Sequence, residues 1–331
     1  MKKILINARY EDFSSLEPLL EGYLHIDNKE ENYVEVRVFV PDADINSAIE
    51  KLRQPLDLRY KESLIEVSTP DFVISSALQR AEKKVKSSPK TPVEKLIDTA
   101  KDYTKIDYWH LILAGIAGLI ALMGLFLNNV AIIIGAMLLS PILGPIHSFA
   151  IYSATGKVNE AFRSILVLAV NLLLIFVLAL AATFLMSLFT EFFTESVLNL
   201  TLTEEIMIRT VSNPIYIIMA ILLGIASIIA LTKNISELIA GVAVAAALLP
   251  PTVVAGITVV LMPERSPGAV LLVLDNVIGL IAGALIATLA LRIAPRNGSD
   301  VKTAKNFIRR SIILILILIA ILAVSSIIIE F

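Results

Sequence analysis

Between about Leu111 and Ile293 the chain carries the same hydrophobic block twice, and each block holds three apolar segments with prolines in the middle one. The first copy ends near Leu188 and the second starts near Ile215. Leu166-Val-Leu-Ala-Val-Asn171 overlies Leu271-Leu-Val-Leu-Asp-Asn276, which puts Asn171 on Asn276 at an offset of 105. Ala179-Leu-Ala-Ala-Thr183 falls on Ala284-Leu-Ile-Ala-Thr288 at the same offset. Gly135-Ala-Met-Leu-Leu-Ser-Pro141 falls on Ala245-Ala-Ala-Leu-Leu-Pro-Pro251 at an offset of 110, and Asn128 falls on Asn234 at 106. The small changes of offset are differences in loop length. An odd number of spans per copy makes the second copy cross the membrane in the opposite sense to the first, the layout of an inverted-repeat transporter.

Composition supports a membrane assignment. The 331 residues are 56% hydrophobic, and the mean hydropathy is +0.80. The chain has no cysteine, which excludes a disulfide scaffold, a thiolate metal site and a cysteine nucleophile. Of the 58 charged side chains, 37 precede Tyr108, so a soluble part is followed by a membrane-embedded one. Met1-Lys2-Lys3 leads into only a few apolar residues before Asn7, Arg9 and Glu11, which predicts no signal peptide. A net charge of -2 without a basic, aromatic-laced tract gives nucleic acid no footprint. The spacing suggests no cofactor.

Five regions are expected: a head over 1–88, a hinge and interfacial helix over 89–107, membrane copies over 108–213 and 214–293, and a basic loop with a last span over 294–331. In the head, residues 3–7 read as a strand and Asp12–Tyr23 as an amphipathic helix. Val34, Val36, Val38 and Val40 alternate along a second strand, and Asp44 can cap a helix bearing Ile45, Ala48, Ile49 and Leu52. Leu64–Val67 makes a third strand, and Thr69-Pro70 opens a third helix. That order, β-α-β-α-β-α, predicts a small ferredoxin-like or related α/β sheet, with room for a further strand within 24–32 or 56–62. Such a head either binds a ligand that gates the membrane part or serves as an assembly module. It contains only Gly22, so it has no phosphate-cradling loop.

Ser87-Ser-Pro-Lys-Thr-Pro92 reads as a hinge, and Thr91, Pro92 and Glu94 form a capping box. The stripe Val93, Leu96, Ile97, Ala100 and Tyr103 then predicts a helix lying on the bilayer or against the head. Tyr108-Trp109-His110 marks the aromatic belt, with His110 at the interface. Seven spans follow, over about 109–127, 129–151, 163–188, 214–232, 235–261, 267–292 and 309–329, each near the ~20 residues a helix needs to cross. With the head in the cytoplasm of a cell-membrane protein, most loop Lys and Arg lie inside, including Arg292, Arg296, Lys302, Lys305, Arg309 and Arg310, and the C-terminus is outside. Re-entrant hairpins at the proline-broken segments are the alternative; they would turn Lys157 and Arg163 outward.

Ser140-Pro141-Ile-Leu-Gly144-Pro145 and Leu249-Pro250-Pro251-Thr252 each remove backbone donors, so regular helix is not expected through either. Paired breaks at matching positions point to a midplane substrate or ion site, whose half-helix ends offer carbonyls to a cation or N–H groups to an anion. Asn171 and Asn276 fall near the midplane. Asp275 is the only carboxylate deep in any span; burial disfavours its ionised form, so it can carry a proton or hold a cation. Proline kinks and interhelical polar contacts of purely structural value are the alternatives. His147 either joins the site or reaches the cytoplasmic face. Asn128, Asn129 and Asn234 read as loop caps, and Glu237 as an entrance guard or a solvated residue. Gly115, Gly118, Gly279 and Gly283 permit close helix contact. The last span, with only Ser325 and Ser326 polar, is expected to face lipid or a neighbouring subunit.

Asn128-Asn129-Val-Ala-Ile-Ile-Ile-Gly135-Ala136-Met137-Leu-Leu-Ser140-Pro141, then Gly144-Pro145 and later Leu249-Pro250-Pro251, resembles the prokaryotic "uncharacterised hydrophobic domain" membrane proteins, domain of unknown function 389. The resemblance extends over most of the chain and implies a membrane location and repeat architecture, with no substrate attached. The expected function is a transporter or ion-conducting protein regulated by its head, acting on a small solute or ion in a lipid bilayer as a homo-oligomer. A membrane-anchored sensor or scaffold is the rival. An enzyme is not expected, because the spans offer one deep carboxylate and one histidine without a Ser/His/Asp set or metal-ligand spacing.

Overall fold

The computed structural model describes residues 2–41, 44–61, 63–68, 93–192, 202–233, 237–295 and 298–330. The expected helix after Thr69-Pro70, the Ser87–Pro92 hinge with its Thr91 cap, and Asn234 lie outside the described residues, as do the side chains of Glu94 and Glu237. The chain forms two compact units, 1–93 and 94–331.

The first unit runs β1 (Lys2–Ala8), α1 (Tyr10–Leu20), β2 (Leu24–Lys29), β3 (Val34–Val40), α2 (Ile45–Arg53) and β4 (Leu64–Ser68). Its four strands make an antiparallel sheet in the order β2-β3-β1-β4, with Ile4 opposite Val38 and Ile6 opposite Val36. Alternation decides which face is buried. Ile4, Ile6 and Ala8 point inward with Val34, Val36, Val38 and Val40, and Leu16, Leu20, Ile45, Ala48, Ile49 and Leu52 of the two helices cover them. The room left for a further strand within 24–32 is taken by β2, which makes a hairpin with β3. It corrects the expectation of a helix between successive strands. Its side chains are all exposed, and its apolar alternation is limited to Leu24 and Ile26.

The second unit is helical: α3 (Val93–Lys101), a 3-10 turn (Asp102–Thr104), α4 (Tyr108–Phe126), α5 (Val130–Leu139), α6 (Leu143–Ala154), α7 (Val158–Phe192), α8 (Glu204–Met207), α9 (Pro214–Thr232), α10 (Glu237–Leu261), α11 (Ser266–Ala290) and α12 (Gly298–Glu330). Among the described residues, α4, α7, α9, α10, α11 and α12 are each long and apolar enough to cross a membrane, consistent with a multi-pass membrane protein. The bent pair α5–α6 adds one more if it counts as a single span. Asn129 caps α5, its side-chain oxygen accepting from the amides of Ala131 (3.0 Å) and Ile132 (3.3 Å). Asn128 adopts a left-handed backbone, which asparagine tolerates, and accepts from the Glu205 amide.

α10 is the centre of this unit, with Val244, Ala245, Leu248, Leu249, Val253, Val254 and Ile257 buried. α9 and α11 approach so closely that a Cβ on Gly283 would run into the Ile221 carbonyl, and one on Gly224 into the Leu280 carbonyl. Contacts between them ascend together, Ile217 with Gly279 and then Ile221 with Gly283, so the two helices run parallel. Gly115 and Gly118 of α4 lie against the side chains of Leu178 and Ile175 of α7, a looser approach than the backbone contact of α9 with α11.

Candidate functional site

α5 and α6 are separated by Ser140–Ile142 and bent by 47°. A residue before proline is pushed out of the helical region. Ser140 takes φ -80° and ψ 122°, and its amide bonds back to the Met137 carbonyl at 3.3 Å. Pro145 falls at the third position of the new helix, where no intrahelical donor is needed.

The second expected break is absent. α10 runs unbroken through Pro250 and Pro251, which corrects the sequence reading. Pro251 has no N–H for the carbonyl four residues earlier, that of Ala247. Asn276 of α11 supplies the missing donor, its Nδ2 reaching the Ala247 carbonyl at 2.8 Å, and Thr252 Oγ1 donates to the Leu248 carbonyl at 2.6 Å. The helix continues because a neighbour satisfies what proline leaves open.

A cavity of about 150 Å³ opens at the first break, with Tyr103, Ser140, Pro141, Gly144, His147 and Gly241 in its wall. Ser140 Oγ and His147 Nε2 are buried and have no hydrogen-bond partner. Among the described residues the wall holds no charged side chain. Thr99, Ala100 and Tyr103 close one side, so the segment expected to lie on the bilayer or against the head contributes to the helical core. Leu96 and Ala100 are buried. Ser148 Oγ donates to the Ala100 carbonyl at 2.8 Å, and the Tyr103 ring occupies the space where any side chain on Gly144 would stand. Tyr103 also stacks on His110, ring centroids 5.6 Å apart.

Behind Pro141 and Pro145 lies a pocket of about 10 Å³ that includes Asn171, Asp107 and His110. Asn171 is buried; its Nδ2 donates to the Val167 carbonyl of its own helix at 2.9 Å, and its Oδ1 has no partner. Asn171 and Asn276, which overlie each other in the repeat, therefore do different things. Asn276 latches its proline helix and Asn171 does not.

The expected site residues resolve into separate places. Ser140, Pro141, Gly144 and His147 share the cavity, with Pro145 and Asn171 just behind it. Pro250, Pro251 and Asn276 form the latched helix contact. Thr252 faces an apolar groove between α7 and α11 of about 400 Å³. Asp275 lines none of these spaces: it is fully buried and accepts a hydrogen bond from Ser212, which in turn accepts one from Ser326 at 3.0 Å. Sequence reasoning missed Tyr103, Ser212 and Ser326. For Tyr103 the signal was its place on the α3 stripe; for the serines there was none beyond their polarity in apolar surroundings.

Residues 137–282 match the family model described as "Domain of unknown function (DUF389)". The resemblance to that family holds. The matched stretch takes in the break, both proline segments and α11 as far as residue 282, and leaves out the head, so the match is narrower than the motif suggested. An uncharacterized protein of Methanocaldococcus jannaschii is 26% identical over 222 residues, which span 67% of this chain and 66% of the relative, just under two thirds of its length. No solved structure matches.

Proposed function

We propose that the chain is a secondary transporter or ion-conducting protein whose substrate, a small polar solute or ion, binds in the cavity at the α5–α6 break. The observation that carries this reading is the pair of buried, unpartnered polar atoms, Ser140 Oγ and His147 Nε2, facing each other's cavity in an apolar bundle. Buried polar groups are normally hydrogen-bonded, and broken helix within a bilayer occurs where backbone lines protein or water. A passing solute supplies the missing partners.

On this reading the chain crosses seven times, because a 47° bend carries α6 onward in the sense of α5 whereas a hairpin would turn it back. The parallel run of α9 and α11 supports three crossings per copy, and glycine contacts between first and third helices recur in both copies. One copy broken and open, the other latched by Asn276, is the asymmetry that one-sided access requires of inverted repeats. The head, with β-α-β-β-α-β order, fits a ferredoxin-like domain. It is read as cytoplasmic and as regulating the cavity through α3, which continues into the cavity wall. The reading is non-enzymatic.

A membrane-anchored scaffold is the second reading, favoured by α12. Of its described side chains only Ala304, Ile308, Leu322 and Ser326 are buried, leaving a long apolar face for lipid or a second copy. Proteoliposomes loaded with a proton, sodium, potassium or chloride gradient separate the two. Transport predicts flux of at least one ion by the wild type that His147→Ala and Ser140→Ala reduce while the protein stays folded. Absence of flux for all four, or flux untouched by both variants, favours the scaffold.

A further inference from the structure

We propose that Asp275, Ser212 and Ser326 form a binding site for one monovalent cation, a proton or an alkali ion, enclosed between α11, the segment entering α9, and α12. All three side chains are almost completely buried, at 0%, 2% and 1% exposure. Ser326 donates to Ser212 and Ser212 donates to one carboxylate oxygen; the other oxygen, Oδ1, has no partner. Neutral hydroxyls cannot cancel a carboxylate's charge, and an isolated charge is not stable in such surroundings.

Among the described residues no cationic side chain does so either. The segment before α9 brings Arg209, which is bonded to Glu205 at 2.6 Å. The turn before α11 brings Glu264 and Arg265, and the Arg265 guanidinium sits 3.5 Å from Thr210 Oγ1. The only titratable side chain of α9 is Tyr216; α6 brings His147, which lines the other cavity. α10 has Glu237 at its first residue, and Lys302, Lys305, Arg309 and Arg310 lie toward the start of α12, away from Ser326. Among the described residues none is paired to Asp275. Neutrality therefore has to come from a bound cation. Ser212 touches the carboxylate directly, and Ser326 reaches it only through Ser212.

This inference does not rest on the transport reading, because its readout is stability. The detergent-purified full chain is unfolded across a pH series and with sodium, potassium or choline as the sole cation, beside Asp275→Asn, which keeps the shape and an acceptor oxygen without the charge. A bound proton makes the wild type lose stability as pH rises, its unfolding constant growing by up to about tenfold per pH unit relative to the variant. A bound alkali ion makes the wild type gain stability with sodium or potassium over choline, a gain the variant lacks. If the wild type and Asp275→Asn track each other in both series, the site is overturned. Should Asp275→Asn fail to fold, Ser326→Ala leaves the carboxylate in place. It is expected to displace the pH or cation response of the wild type, and an unchanged response overturns the proposal equally.

Discussion

Replacing Asn276 with alanine removes the one donor that reaches the Ala247 carbonyl across the α10–α11 contact. Pro251 has no amide hydrogen to take its place, so that half-buried carbonyl is left unpaired. A buried group stranded in this way costs about 1–3 kcal/mol. Side-chain hydrogen bonds between membrane helices average about 0.6 kcal/mol and reach about 1.7, because alternative partners usually exist. Because Pro251 leaves that carbonyl without its helical donor, Asn276→Ala should lie near the top of the second range, about 1.5 kcal/mol, or roughly a tenfold shift in the unfolding constant. Asn171→Ala is the internal control. Its amide donates to the Val167 carbonyl, which its own helix also serves, and its Oδ1 is already without a partner, so the loss should stay below about 0.5 kcal/mol. Reversible unfolding in mixed detergent micelles, followed by helical circular dichroism, measures both. Equal losses, or a greater loss for Asn171→Ala, would refute the latch.

Two glycines of the helical unit should respond oppositely to alanine. At Gly283 a methyl group meets the Ile221 backbone, which has nowhere to go, and destabilisation of about 2–3 kcal/mol is expected. At Gly135 the space is open within a helix, and a gain of about 0.5–1 kcal/mol is expected from the same unfolding assay. In the head, the Arg59 side chain donates to Asp57 and holds its carboxyl down at about 2. Its contribution is complete above the ordinary carboxylate range and is lost as pH falls toward 2; Arg59→Ala should return the Asp57 titration, followed by carbon NMR, toward the usual value near 4.

The apolar helices and the alternating strands β1 and β3 of the head were readable from periodicity, which needs only local sequence. The fate of the two proline segments was not. Both lose the same backbone donors, so sequence predicts two breaks; what separates them is a partner 29 residues away, Asn276, on another helix. The repeat alignment even set Asn276 over Asn171, yet the two amides point to different acceptors. Asp275 stood out as a deep carboxylate, but its partners are 63 residues away at Ser212 and, through that serine, at Ser326 on the helix outside the repeat. The stripe on α3 showed an apolar face without showing its neighbour. Lipid tails are as apolar as leucine, so amphipathicity alone does not separate a helix lying on the bilayer from one packed against α6.

Because the chain has no cysteine, a single introduced thiol reports water access without background. The most direct test compares Ser140→Cys at the open break with Leu249→Cys beside the latched prolines, each in membrane vesicles exposed to a membrane-impermeant thiol reagent. Both positions are buried in the bundle, but only Ser140 borders the cavity. Modification of Ser140→Cys from one face of the membrane, with Leu249→Cys protected, is the predicted result. Protection at both positions, or equal modification at both, would contradict an open copy beside a closed one.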